Sequence, residues 1–434
     1  MVFARYESPQ RASSVPSAAG EPAAGGYLAF VLAHRGAAPK VIVLGDAARL
    51  DRLLSFWQAC MSDVRAARVA RYRAESRCRD VGLAATRALW EPLAAHLRRA
   101  QRVFVVPDGP LHALNLAALP LEAGGYLVES GPTLHNLTSE RDLLPGPTPH
   151  VRHADLVALG GAAFDAAPAR VAVAPLPAPW SSRGARSARA EPPATSESAF
   201  RGGLPECLAA VPRNWPDLSG TRTEVEDLAE SWSRQSDAGR AWLLEGEGAG
   251  ETALKHLAGR ARILHLATHG FALGDDCDSA SEKRAARAHD NPLLRAGVVL
   301  AGANHRADAA PGQDDGILTA EEAASLDLDG TEWVVLSGCD TGRGALHASD
   351  GVLGLRRAFG VAGAGTVIMS LWAVDDAYAR RWMRALYEAR LERHLDTAEA
   401  VRAASQAVLR EQRQKGASTH PALWAAFVAS GDWR

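Results

Sequence analysis

Lysine is nearly missing from this chain of 434 residues: Lys40, Lys255, Lys283 and Lys415 are the four among 48 lysines and arginines. That skew, with an alanine excess, is the mark of a GC-rich genome rather than of a mechanism. An excess of either charge is missing too. The 48 basic residues face 50 acidic ones, a formal net charge of -2, which removes a general polyanion binder. Cysteine is scarce, and Cys60, Cys78, Cys207, Cys277 and Cys339 lie far apart. An odd number at wide spacing is not a disulfide scaffold. No pair stands as C-x-x-C, so a zinc knuckle and a thioredoxin motif are excluded. No run reaches the roughly 18 apolar residues of a membrane helix, and no apolar h-region marks a secretory signal near the N terminus. No long internal repeat is visible. These absences predict a soluble protein of a reducing, cytoplasmic compartment.

What is present is a sizeable core. Hydrophobic residues make up 47% and charged residues 23%, which excludes wholesale disorder. Residues 1–25 are rich in Ala, Ser, Pro and Gly and read as a flexible tail. Two strands around a turn are predicted at 27–33 and 40–45, and Asp46 caps a helix ending near Cys60. Short apolar runs at 102–109 and 156–161 read as buried strands. Proline, serine, glycine and arginine without a period mark a linker at 175–205. It separates a region 26–205 from a region 206–434.

Beyond the linker, strand and helix alternate. Strands are predicted at 241–246, 261–270, 297–303, 331–342 and 366–372, with helices at 222–235, 252–257, 351–359, 375–391 and 397–414. Thr319 with Glu322 three residues on is a capping box. The strands are short, apolar and β-branched, without period-two alternation, as in a parallel sheet buried on both faces. Chemistry then belongs at the C-terminal strand ends. Two of these ends are polar, Thr268-His269-Gly270 and Gly338-Cys339-Asp340.

A histidine and a cysteine at two such tips have the makings of a dyad. Imidazole titrates at about 6.5 and a thiol at about 8.5, so the first raises the thiolate fraction of the second and protonates a leaving amine. His269 is the candidate base and Cys339 the candidate nucleophile. The N–H groups of Gly270 and Cys339 are the candidate oxyanion hole, where losing one donor typically costs about 3–4 kcal/mol. The competing, structural explanation is a buried free cysteine and a histidine capping a strand.

Several segments carry the resemblance to a known family: AxxxHLATHGF at 261–271 and VVLSGCDTG at 334–342, with VVPDGPLHALNLAAL at 105–119, DGVLGLRRAFGVAGAGTVIMSLWAVDD at 350–376 and HPALWAAFVASGDW at 420–433. Together they resemble the CHAT family, caspase-like cysteine proteases commonly associated with tetratricopeptide repeats and related to separase. The resemblance implies an α/β, caspase-like three-layer fold with a mostly parallel central sheet, preceded by a degenerate caspase-like half. It implies His269 as general base and Cys339 as nucleophile of an endopeptidase that cleaves a specific protein, with no cofactor and no metal. This chain has Asn115 and Leu116 where the family has proline and phenylalanine, and Gly338 where it has alanine. No repeat array is visible, so a repeat-containing regulatory partner or a missing repeat domain is expected. No nucleic-acid partner and no membrane insertion are expected. The alternative is a non-catalytic caspase-like interaction module; a hydrolase acting on something other than protein has the dyad alone in its favour.

Weaker signals sort quickly. The glycines of 245–251 lack the Gly-Lys-Ser/Thr of a phosphate loop and read as a turn before a helix. Cys277, the rival nucleophile, sits in acidic GDDCD, where neighbouring charge disfavours a thiolate. Arg65, Arg68 and Arg71 form a basic helix face suited to solvent or an acidic protein partner. Asp340, Asp315 and Asp275 are candidate substrate-binding residues that would select Arg or Lys before the cleaved bond; a pocket around Val299, Leu318 or Trp372 would select Leu or Met instead. The arginines of 181–203 invite self-cleavage.

Overall fold

The computed structural model describes residues 1–7, 25–34, 36–62, 73–144, 153–171, 174–180, 214–272, 292–310, 313–338 and 348–434. Its centre is an eight-stranded sheet in the order β4-β5-β14-β13-β12-β8-β6-β7. In chain order these are β4 Arg102–Val105, β5 Thr133–Asn136, β6 Asp155–Ala162, β7 Ala241–Gly246, β8 Ala261–Ala267, β12 Trp333–Ser337, β13 Thr366–Ser370 and β14 Phe427–Gly431. Five strands, β7, β6, β8, β12 and β13, run parallel. The other three, β14, β5 and β4, are parallel among themselves. The two blocks meet at one antiparallel junction, β13 with β14. The expected α/β architecture with a mostly parallel central sheet is present. Strands β4, β5 and β6, all from the region 26–205, lie in this same sheet, where β5 pairs with β14 and β6 with β7 and β8 of the region 206–434.

The apolar text explains the block of five. WVVLS of β12 and TVIMS of β13 are buried at every residue, so both faces of the sheet are covered. Fully burying one Val, Leu or Ile contributes about 1.5–3 kcal/mol, which makes these strands the anchor of the core. The covering helices include Ser219–Ser233, Ala348–Val361, Asp376–Tyr387 and Thr397–Gln414. Two of them start as the sequence predicts, with a carboxylate accepting a backbone N–H: Asp375 from Ala377 and Asp396 from Glu399.

Three expectations are corrected. Val2–Glu7, expected within a tail, is strand β1; it pairs antiparallel with β2 (Gly25–Val31), which pairs with β3 (Lys40–Asp46). The run at 297–303 does not join the parallel sheet. As β10 (Ala296–Val299) it forms a small antiparallel sheet between β9 (Gly270–Ala272) and β11 (Ile317–Thr319). A run of four apolar residues carries no mark of which sheet it enters. Finally, Cys60 and Cys78, two of the widely spaced cysteines that read as no disulfide scaffold, form a disulfide with Cα atoms 5.6 Å apart, joining helix Ala47–Ser62 to helix Arg73–Ala85. Cysteine counting weighs spacing along the chain, whereas two packed helices bring separated positions together. Such bonds persist in oxidising surroundings, so the cysteine argument for a reducing compartment falls. Among the described residues no helix is long and apolar enough to cross a membrane. The 181–203 segment and Arg65, Arg68 and Arg71 lie outside the described residues.

Candidate active site

Strands β8 and β12 lie side by side and parallel, with Ala267 opposite Ser337. The Thr268 N–H continues the ladder to the Ser337 carbonyl at 3.1 Å. The sheet therefore delivers His269 and Gly338 to the same edge, on adjacent strand ends. Gly338 has φ +97°, a region that L side chains rarely adopt, and a Cβ there would meet the Thr268 carbonyl at 3.1 Å. The glycine that departs from the family pattern suits this turn for that reason. Cys339 and Asp340, with Asp275 and the rival Cys277, lie outside the described residues.

His269 is 3% exposed and held on three sides. Its Nε2 is 2.8 Å from the Pro216 carbonyl oxygen. A carbonyl only accepts, so Nε2 carries the proton and Nδ1 of the neutral ring is the free base. The Trp215 and Phe164 rings each lie 5.2 Å from the imidazole, tilted against it. Trp215 is itself clamped. Its backbone N–H donates to Asn304 Oδ1 at 2.7 Å, and its backbone carbonyl accepts from Asn304 Nδ2 at 3.2 Å. Asn304 Nδ2 also donates to Asp165 at 2.7 Å. Sequence reading missed this cradle. Trp215 and Pro216 stand 54 and 53 positions before His269 in a stretch without periodicity, and a tryptophan beside a proline after a linker was the one available signal.

Gly270 opens β9 opposite Val298. The Val299 N–H donates to the His269 carbonyl at 2.9 Å. Antiparallel ladders alternate bonded and non-bonded pairs, so the Gly270 N–H faces away from β10. Thr268 locks the corner, its Oγ1 donating to the Val299 carbonyl at 2.6 Å.

Asp315 is committed to its own loop. Its Oδ1 accepts from the Ile317 N–H at 2.9 Å, and its N–H donates to Glu251 Oε1 at 3.0 Å. Burial raises its carboxyl above the usual range. Asp314 accepts both the N–H and the hydroxyl of Thr252. The loop is thus stitched to the start of helix Glu251–Ala258, where Gly246 at φ +58° makes the predicted glycine turn. Of the apolar alternative, Val299 and Leu318 are wholly buried and Trp372 nearly so, so these side chains belong to the core.

No curated protein matches the chain significantly. Among solved structures it is similar to the Arg-specific cysteine proteinase gingipain R, at 8% identity and a TM-score of 0.41 over 80% of this chain and 68% of that one. A model of the CHAT domain matches residues 79–432. The chain belongs to the CHAT domain family.

Proposed function

We propose that the protein is a cysteine endopeptidase with His269 as base and Cys339 as nucleophile. The observation that carries this reading is the fixed imidazole. Its Nε2–H is held by the Pro216 carbonyl, its Nδ1 is left as the base, and it sits beside the strand end that leads into Cys339. In the mechanism, Nδ1 takes the thiol proton and the thiolate attacks the peptide carbonyl. The N–H groups of Gly270 and Cys339 receive the oxyanion. The imidazolium gives its proton to the leaving amine, and water activated by the same Nδ1 hydrolyses the thioester. Asp340 and Asp275 favour a basic residue before the cleaved bond.

A thiol-directed probe competed by peptide substrates tests the assignment. Cys339→Ala is expected to lose labelling at the site and to lower peptide cleavage at least about a thousandfold. His269→Ala is expected to lower cleavage while slower labelling of Cys339 remains. Substantial cleavage by C339A, lost instead in C277A, overturns the nucleophile. A chain that folds but neither cleaves peptides nor reacts faster than free cysteine is an interaction module.

A further inference from the structure

The groups that orient the His269 imidazole are themselves fixed, and their hydrogen bonds converge on Asn304. Strand β10 holds the backbone of His269 through the Val299 N–H, at 2.9 Å from the His269 carbonyl. Past Val299 the chain turns at Gly302, φ +88°, whose N–H donates to the Ala163 carbonyl at 3.0 Å. Asn304 follows in the short helical turn Ala303–Asp308. Its backbone N–H donates to the Phe164 carbonyl at 3.0 Å. Its side chain clips the Trp215 backbone at both N–H and C=O and reaches Asp165. Phe164 and Trp215 bear the rings that lie 5.2 Å from the imidazole, and the residue after Trp215 supplies the carbonyl on Nε2. The backbone of His269 and the partners of its ring are thus referenced to one segment, 299–304.

The Asn304 amide could be turned two ways, and its partners allow one. The Trp215 N–H only donates, so it takes Oδ1. The Trp215 carbonyl and the Asp165 carboxylate accept, so they take the two hydrogens of Nδ2. Turned over, the amide would set N–H against N–H and its oxygen against two acceptors. Asp165 therefore helps to fix which end of the amide faces Trp215. The clip is coupled stiffly to the next carbonyl. The peptide bond is planar and the proline ring fixes φ of Pro216, so one soft dihedral, ψ of Pro216, separates the clipped Trp215 carbonyl from the carbonyl on His269.

We propose that Asn304, turned by Asp165, is a positioning residue that keeps His269 in its Nε2–H form with Nδ1 as the free base. The proposal rests on the reading of His269 as the base. Loss of the amide releases Trp215 and, with it, the Pro216 carbonyl. The Nε2–H then has no fixed acceptor, and the proton is shared between the two ring nitrogens. An imidazole that carries it on Nδ1 does not take the thiol proton there. A merely structural tie would lower stability and leave the tautomer where it is.

Proton–nitrogen correlation spectra of the full chain with isotope-labelled histidine rings read the tautomer directly, at a pH about two units above the ordinary imidazole value of about 6.5. The chain has 14 histidines, so His269 is assigned as the resonance lost in His269→Gln. Wild type is expected in the Nε2–H form. Asn304→Ala is expected to give a mixture of both forms, with kcat for peptide cleavage falling up to about a hundredfold, as for a displaced reacting group, and KM nearly unchanged. Asp165→Ala is expected to move the tautomer the same way by less. A folded N304A protein with the wild-type tautomer overturns the proposal, whatever its stability, as does a wild type in the Nδ1–H form. If N304A fails to fold, D165A, at an exposed position, decides alone: an unchanged tautomer overturns the proposal. The spectra need neither substrate nor thiol. A chain whose tautomer moves as expected but which cleaves nothing overturns the peptidase and leaves the positioning role standing.

Discussion

The two blocks of the central sheet are built from similar apolar text yet do different things. In the block of five, every strand end points to the edge where His269 and Gly338 stand. In the block of three, β4, β5 and β14 run the other way, so their C-terminal ends lie at the opposite edge. Chemistry needs strand ends that converge with polar tips; the block of three supplies none on that side. Its buried polar groups are spent on fastening. His135 on β5 reaches the Gly431 carbonyl just beyond β14's bonded pair at 2.9 Å, and Thr133 takes a hydrogen bond from Arg402 at 3.1 Å. One block presents the candidate site and the other holds the molecule together.

That contrast breaks if changes in the block of three alter the nucleophile directly. The largest effect is expected from Phe427→Ala on β14. Phe427 is 1% exposed and stacked 4.6 Å from Trp382. Its truncation is expected to cost about 3–5 kcal/mol, read as a lower Tm, while the folded fraction keeps the wild-type rate of Cys339 alkylation. A changed alkylation rate at a temperature where the variant is fully folded breaks the division of labour.

A smaller effect is expected where the N-terminal helices are tied. The Cys60–Cys78 bond spans 18 positions. A loop of that size is worth roughly 3 kcal/mol in the chain-entropy account. The double variant C60S/C78S is therefore expected to melt earlier, with peptide cleavage at low temperature unchanged. Equal melting of oxidised and reduced protein sinks the stabilising role.

The smallest effect sharpens the comparison through pH. Burial lowers the His135 imidazole to about 4. A base whose folded pKa lies below its unfolded value of about 6.5 binds fewer protons folded than unfolded between those values. Its contribution is fully present above about 6.5 and is lost as pH falls toward 4. His135→Gln is expected to flatten the fall in Tm between pH 7 and 4.5, a window worth on the order of 2 kcal/mol. An unchanged slope removes His135 from the acid response.

The same contrast explains what the sequence could show. The strands β12 and β13 are unbroken apolar runs, and β8 ends in the polar tip that carries His269, so the block of five and the edge where His269 stands were legible. Strands β5 and β14 were not. TLHN has four residues with polar ones among them, and FVASG ends in small residues, so neither has the length or pattern of a buried strand. The cradle of His269 was hidden for another reason. A backbone carbonyl at Pro216 leaves no side-chain signature, and the Asn304 clamp depends on two loops meeting. Asp315 had the right charge for substrate, but a carboxylate also closes its own turn, and charge alone does not tell the two uses apart.

The antiparallel junction also sets a timetable. Strand β14 bridges β13 to β5, and the contact between His135 and Gly431 closes a separation of 296 residues. Until β14 leaves the ribosome, β4 and β5 have their inner edge unfilled, with open N–H and C=O groups that invite foreign strands. At ordinary elongation rates of about 5–20 residues per second, that wait lasts roughly 15–60 s. Strand β14, the last of the central sheet in chain order, is the keystone, so the chain passes through an interval in which the block of five is nearly assembled while β4 and β5 still lack their neighbour. For the whole of that interval the open edge is a template on which another chain can pair.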